Sequence, residues 1–128
     1  MYKPALIAGT ILGALAVILG AFGAHSLKAF FSTDQLQVFE KGVTYQYYHV
    51  FALLAAGILF MQYPGENIKW ATVFFILGIF FFSGSLYIYT YMDAKAINVP
   101  DIARLVTPLG GLCFIAGWLL LLSVFLKK

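Results

Sequence analysis

Four long apolar runs with almost no charge inside them occupy most of this 128-residue chain, and they restrict its fold more than any other feature. A bilayer core about 30 Å thick is crossed by about 20 apolar residues of helix. Runs of that order extend from Pro4 to Ala24, Val43 to Met61, Trp70 to Tyr91 and Pro108 to Leu126. Hydrophobic types make up 62% of the chain and charged types 10%, a balance that water-soluble domains do not tolerate. Backbone groups in lipid need partners within the chain, and the runs lack the alternation of a barrel, so they read as helices. The expected fold is an all-α membrane protein with four transmembrane helices in an up-down bundle. One domain over residues 1–128 leaves no room for a soluble one.

Lys3 ahead of an apolar stretch resembles a secretory signal, but the stretch exceeds a signal core and reads as a resident helix. The lone Cys113 lies inside the fourth run and suits a packing role. Net charge is +3, with the cations scattered at the run ends. That placement suits headgroup anchoring to membrane lipids and forms no basic stripe for nucleic acid. Four spans put both termini and the turn Tyr63–Asn67 on one side, with Lys3, Lys69, Lys127 and Lys128. The other side holds Lys28, Lys41, Lys95 and Arg104, so the positive-inside count ties. The charges nearest the termini favour both termini in the cytoplasm.

In the first run Gly9, Gly13, Ala16, Gly20 and Gly23 recur at steps of four and three, a smooth stripe that lets another helix approach closely. Packing within the bundle is the plainer reading, and a homo-oligomer seam through the first helix the sharper one. Gly110 and Gly117 repeat the theme in the fourth run, as do Ala52 and Ala56 in the second. Gly13, mid-stripe, is expected to matter more to stability than His25. The connection after the first run contains Ser32 with Gln35 three residues on, a capping-box pattern. An amphipathic lead-in helix is expected to start there, rest at the interface and bend near Gly42 before the second span.

Up-down connectivity carries many polar residues toward one leaflet. His25 ends the first helix, and Tyr45, Gln46, Tyr48 and His49 open the second. Ser83, Ser85, Tyr87, Thr90 and Tyr91 close the third, and Thr107 opens the fourth as N-cap with Pro108 as the first helical residue. Lys41, Tyr45, Tyr48, His49, Ala52 and Ala56 are assigned to one face of the second helix. His49 is therefore expected to face inward, near polar groups of helix one or three. Trp70, Tyr89 and Tyr91 read as interface-belt residues, whereas Trp118, about 15 Å along its helix from Pro108, reads as packing.

A buried hydrogen-bond network is the plainest use of this cluster. Haem or metal held by His25 and His49 is an alternative, although the glycine stripe leaves little room for haem and no acidic or thiol ligand accompanies the pair. A Ser83–His49 dyad lacks the glycine two residues before the serine, where Phe81 stands, and lacks an evident oxyanion donor. A transporter or channel component would require oligomerisation, since no acidic residue lies at mid-depth. No cofactor is expected.

The strings Gly20-Ala21-Phe22-Gly23-Ala24-His25, Tyr45-Gln46-Tyr47-Tyr48-His49, Phe82-Ser83-Gly84-Ser85-Leu86-Tyr87 and Thr107-Pro108-Leu109-Gly110-Gly111, with Gly117-Trp118, resemble the YgdD/YwdK-like small membrane proteins. The resemblance covers nearly the whole chain. It implies a four-span, multi-pass protein of the bacterial inner membrane and implies no activity. The expected role is a non-enzymatic structural or lipid-binding bundle, with Phe74, Phe75, Phe80, Phe81 and Phe82 as an apolar wall below the polar cluster.

Overall fold

A computed structural model describes residues 1–127. Lys128, one of the terminal lysines in the topology argument, lies outside the described residues. The chain is helical, with α1 (Lys3–His25), α2 (Thr33–Leu59), α3 (Glu66–Gly78), a π-helical turn (Ile79–Ser83), α4 (Gly84–Ala94) and α5 (Val106–Leu126). Short 3₁₀ turns at Leu27–Ala29 and Ala103–Leu105 precede α2 and α5. Three segments are long and apolar enough to cross a membrane: Lys3–His25, Glu66–Ala94 and Ala103–Leu126. α2 is as long as these, but Tyr45-Gln46-Tyr47-Tyr48-His49 and its charged first turns make it more polar.

α1 and α2 form an antiparallel hairpin along the glycine stripe. A Cβ on Gly9 would lie 2.9 Å from Leu54, on Gly13 3.3 Å from Val50, on Gly20 3.5 Å from Val43 and on Gly23 2.8 Å from Phe39. The stripe is thus covered by α2 of the same chain. Near the other end, the amide of Tyr2 donates to the Gly57 carbonyl at 2.9 Å. The second hairpin sets α3, the π turn and α4 against α5. Here the fits are tighter, with Gly117 against Phe75, Gly78 against Phe114 and Gly110 against the backbone of Phe81 and Phe82. Phe75, Leu53 and Ile68 are fully buried between the hairpins, while Ile18, Phe80, Ile88, Leu112 and Ile115 face outward, a surface suited to lipid.

The capping box at the start of α2 is present. The Gln35 amide donates to Ser32 Oγ at 3.2 Å, and the Ser32 amide donates to Gln35 Oε1 at 2.9 Å. The expected bend at Gly42 is not: α2 runs unbroken to Leu59. Glycine serves packing at that point, because a Cβ there would sit 2.7 Å from the Tyr87 ring. The expected cap at Thr107 is also corrected. Helix begins at Ala103 and continues through Thr107 and Pro108, so Leu105 occupies the cap position of α5. A proline is tolerated anywhere in the first turn, where its missing amide has no intrahelical partner.

Two residues past the end of α4 stands Ala96, the one non-glycine residue with positive φ (55°) among those described. The Ile97 amide donates to the Met92 carbonyl and the Ala96 amide to the Asp93 carbonyl, the two bonds of a Schellman motif. A side chain in the left-handed region costs about 1 kcal/mol that glycine avoids. Ala96→Gly is expected to stabilise the protein by up to about that amount, read as a higher unfolding temperature in detergent.

Candidate functional site

The polar residues fall into three hydrogen-bonded units. The first centres on Gln46, which is only 2% exposed on the inner face of α2. Its Nε2 donates to the Leu12 carbonyl of α1 at 2.7 Å, and its Oε1 accepts from the Tyr87 hydroxyl of α4 at 2.6 Å. One amide thereby joins three helices. One turn up, Ser83 Oγ donates to the Gly42 carbonyl at 2.6 Å. Ser83 closes the π turn, in which the Gly84 amide reaches back five residues to Ile79. That widened turn lies where α5 presses closest, at Gly110.

The second unit surrounds His49. Its Nδ1 lies 2.8 Å from the Tyr45 carbonyl, and its Nε2 lies 3.1 Å from Trp118 Nε1 of α5. A carbonyl only accepts and an indole N–H only donates, so the imidazole is neutral with its proton on Nδ1. The ring stacks on Phe114 at 3.5 Å between centroids, with Phe75 at 5.7 Å. His49 faces inward as expected, but its side-chain partner is Trp118 of the last helix, a residue whose position in the sequence suggests packing alone. The third unit joins α4 to α5: the Ser85 and Thr107 hydroxyls meet at 2.5 Å, and Ser85 Oγ donates to the Phe82 carbonyl at 2.8 Å. Tyr89, expected in the belt, instead donates its hydroxyl to the Ala103 carbonyl.

Not every expected member joins. His25 is exposed at the end of α1. His49 is level with Gly13, since its neighbour Val50 packs there. Twelve residues of helix separate those levels, about 18 Å at 1.5 Å per residue, so the two imidazoles cannot share one iron or metal ion. Likewise Ser83 is committed to Gly42 and His49 to Trp118, and no dyad forms. The expected single face of α2 splits. Gln46, His49, Ala52 and Ala56 point inward, whereas Lys41 and Tyr48 point outward and Tyr45 lies at the edge, its ring against Phe82. At the opposite end of the bundle, Asn67 Nδ2 donates to Ser123 Oγ at 2.6 Å, a tie between helices that no local sequence pattern announces.

Two cavities follow one another along α1 and α4. The inner one, about 230 Å³, is lined by Leu12, Leu15, Leu19, Ile79, Phe80 and Gly84, with Gln46 and Tyr87 beneath. Farther along both helices in the same direction, a cavity of about 350 Å³ is lined by Phe22, Leu27, Phe30, Phe31, Tyr91 and Lys95. The Lys95 ammonium stands 6.0 Å from the Tyr91 ring centroid. The expected phenylalanine wall is dispersed: Phe75 is in the core, Phe82 lies beside His49, and Phe80 alone borders this groove.

Comparison with known proteins places these features in a family. The family described as "Protein of unknown function (DUF423)" matches residues 19–111. A UPF0382 membrane protein of Staphylococcus aureus is 40% identical over 122 residues, covering 95% of this chain and 94% of its own length. Another, from Staphylococcus saprophyticus, is 42% identical over 119 residues, 93% of each chain. The UPF0382 inner membrane protein YgdD of Escherichia coli is 36% identical over 125 residues, 96% of this chain and 91% of its own. No solved structure matches.

Proposed function

The chain belongs to the DUF423 family of membrane proteins, and from that premise we propose that it is a single four-span domain of the bacterial inner membrane that holds an anionic amphiphile between α1 and α4. α2 is the fourth span in this reading, because it lies along α1 from Gly23 down to Leu6. Its first turns, beyond the end of α1, are the interfacial lead-in. Both termini then share the cytoplasmic side. The groove carries the reading: an apolar inner cavity is followed, farther along the same two helices, by an outer one lined by Lys95. An acyl or isoprenoid chain fits the first, and a negative headgroup fits the ammonium at the second. The buried units around Gln46, His49 and Ser85 have their hydrogen bonds filled by one another and act as the frame.

The test is native mass spectrometry of protein released from nanodiscs containing equal phosphatidylglycerol and phosphatidylethanolamine. One retained phosphatidylglycerol per chain is expected, falling at least tenfold in Lys95→Glu. Gly84→Leu, which extends a side chain into the inner cavity, should also lower it. Equal retention of both lipids, unchanged in either variant, would mean annular lipid only and would overturn the reading.

A further inference from the structure

Apart from Thr10 of α1, whose hydroxyl bonds within its own helix, the middle of the bundle's circumference is apolar except on α2. Gln37, Glu40, Lys41, Thr44 and Tyr48 are all exposed, and they follow one another along a single outward stripe. The packing of Val43 on Gly20 and Val50 on Gly13 sets their depth. Lys41 to Tyr48 lie beside Leu15 to Phe22 of α1, where that helix turns Val17, Ile18 and Phe22 outward. Around the same levels, α4 presents Ile88 and α5 presents Leu112 and Ile115. Tyr48 is 56% exposed at a level about ten residues inside the end of α1, roughly 15 Å at 1.5 Å per residue. The only ion pair among the described residues is Lys69 with Glu66, so Glu40 and Lys41 have no charged partner among them. Polar side chains at the depth of Thr44 and Tyr48 normally face protein or a water-filled cavity, because lipid leaves them unsatisfied.

We propose that this stripe is covered by a second copy of the chain, in a dimer whose two α2 helices run parallel about a two-fold axis along the membrane normal. Copies inserted the same way can close only about such an axis, which brings equal depths together. Residues 37, 44, 48 and 55 fall on the centre line of the stripe at 100° per residue, with Glu40 on one flank and Lys41 on the other. In a parallel pair, opposite flanks face each other, as the charged flanking positions of a coiled coil do. Each Glu40 carboxylate therefore meets Lys41 of the second copy, twice over, only one residue apart in depth. Ala55 on the same line lets the helices close in below. Gln46 lies about 200° around α2 from Tyr48, so the dimer leaves the α1–α4 groove open and does not depend on it.

Charge reversal in nanodiscs, read as assembly mass by native mass spectrometry, tests the dimer. Wild type should register two chains. Glu40→Lys and Lys41→Glu should each cut the dimer fraction at least tenfold, and the double swap E40K/K41E should restore it, which excludes misfolding as the cause. In a Cys113→Ser background, Thr44→Cys should cross-link on mild oxidation, whereas Ile18→Cys on the outer face of α1 should not. A single-chain mass for wild type, a dimer indifferent to both reversals, or a foreign chain retained in place of a second copy would each overturn the proposal.

Discussion

Gly110→Ala is expected to destabilise the protein by about 3 kcal/mol or more, at the upper end of overpacking effects. Its added methyl would lie 2.3 Å from the Phe82 nitrogen and 2.8 Å from the Phe81 carbonyl carbon. Backbone cannot rotate aside as a leucine side chain can, so α5 would have to leave the π turn. Inside lipid no hydrophobic term compensates for the weakened van der Waals attraction along that seam. The adjacent Gly111 supplies the control, since a Cβ there meets nothing within 4 Å. Unfolding temperatures of the two alanine variants in one detergent should differ widely. Equal values would mean that the α5 seam is not what holds the second hairpin together.

Gln46→Leu should have the next largest effect, about 2 kcal/mol, because it strands a half-buried Tyr87 hydroxyl and removes the link from α1 to α4. The Leu12 carbonyl suffers less, as it keeps a partner in its own helix. Tyr87→Phe made in the Gln46→Leu background should then change stability little, although it should be damaging alone. A thermodynamic cycle over the four proteins should return a coupling of about 1–2 kcal/mol. Strict additivity would show that the two side chains do not act as one unit.

The helices are readable from the chain because apolar length and small-residue spacing are local properties. The start of α2 at Ser32 is readable too, because a capping box is complete within four residues. Partners are not. That Trp118 serves His49 depends on α5 lying beside α2, and nothing within either helix encodes this. The glycine pattern has a similar limit. A period of three and four locates Gly110 and Gly117, but the comparably close approaches at Gly78, Gly57 and Gly42 are set by what the opposite helix presents. The π turn has no sequence signature of its own, so the third apolar run reads as a uniform rod. Extending the Ala52 and Ala56 face back along α2 misplaces Lys41 and Tyr48 on the inner side, which at that level is marked by Phe39, Gly42, Val43 and Gln46.

The hub position of α2 also orders events in time. Every hydrogen bond described between the hairpins starts or ends on this helix: Ser83 to Gly42, Tyr87 to Gln46 and Trp118 to His49. The chain emerges from synthesis with α1 and α2 first, and their glycine seam is complete without anything downstream. During that interval Gln46 lacks its Tyr87 partner and His49 its Trp118 partner, at the level of the apolar middle of α1. The first hairpin is thus a template with unfilled hydrogen bonds until α4 and α5 arrive. Relief of its exposed amide and imidazole draws the second hairpin against α2, in a register that three side chains define.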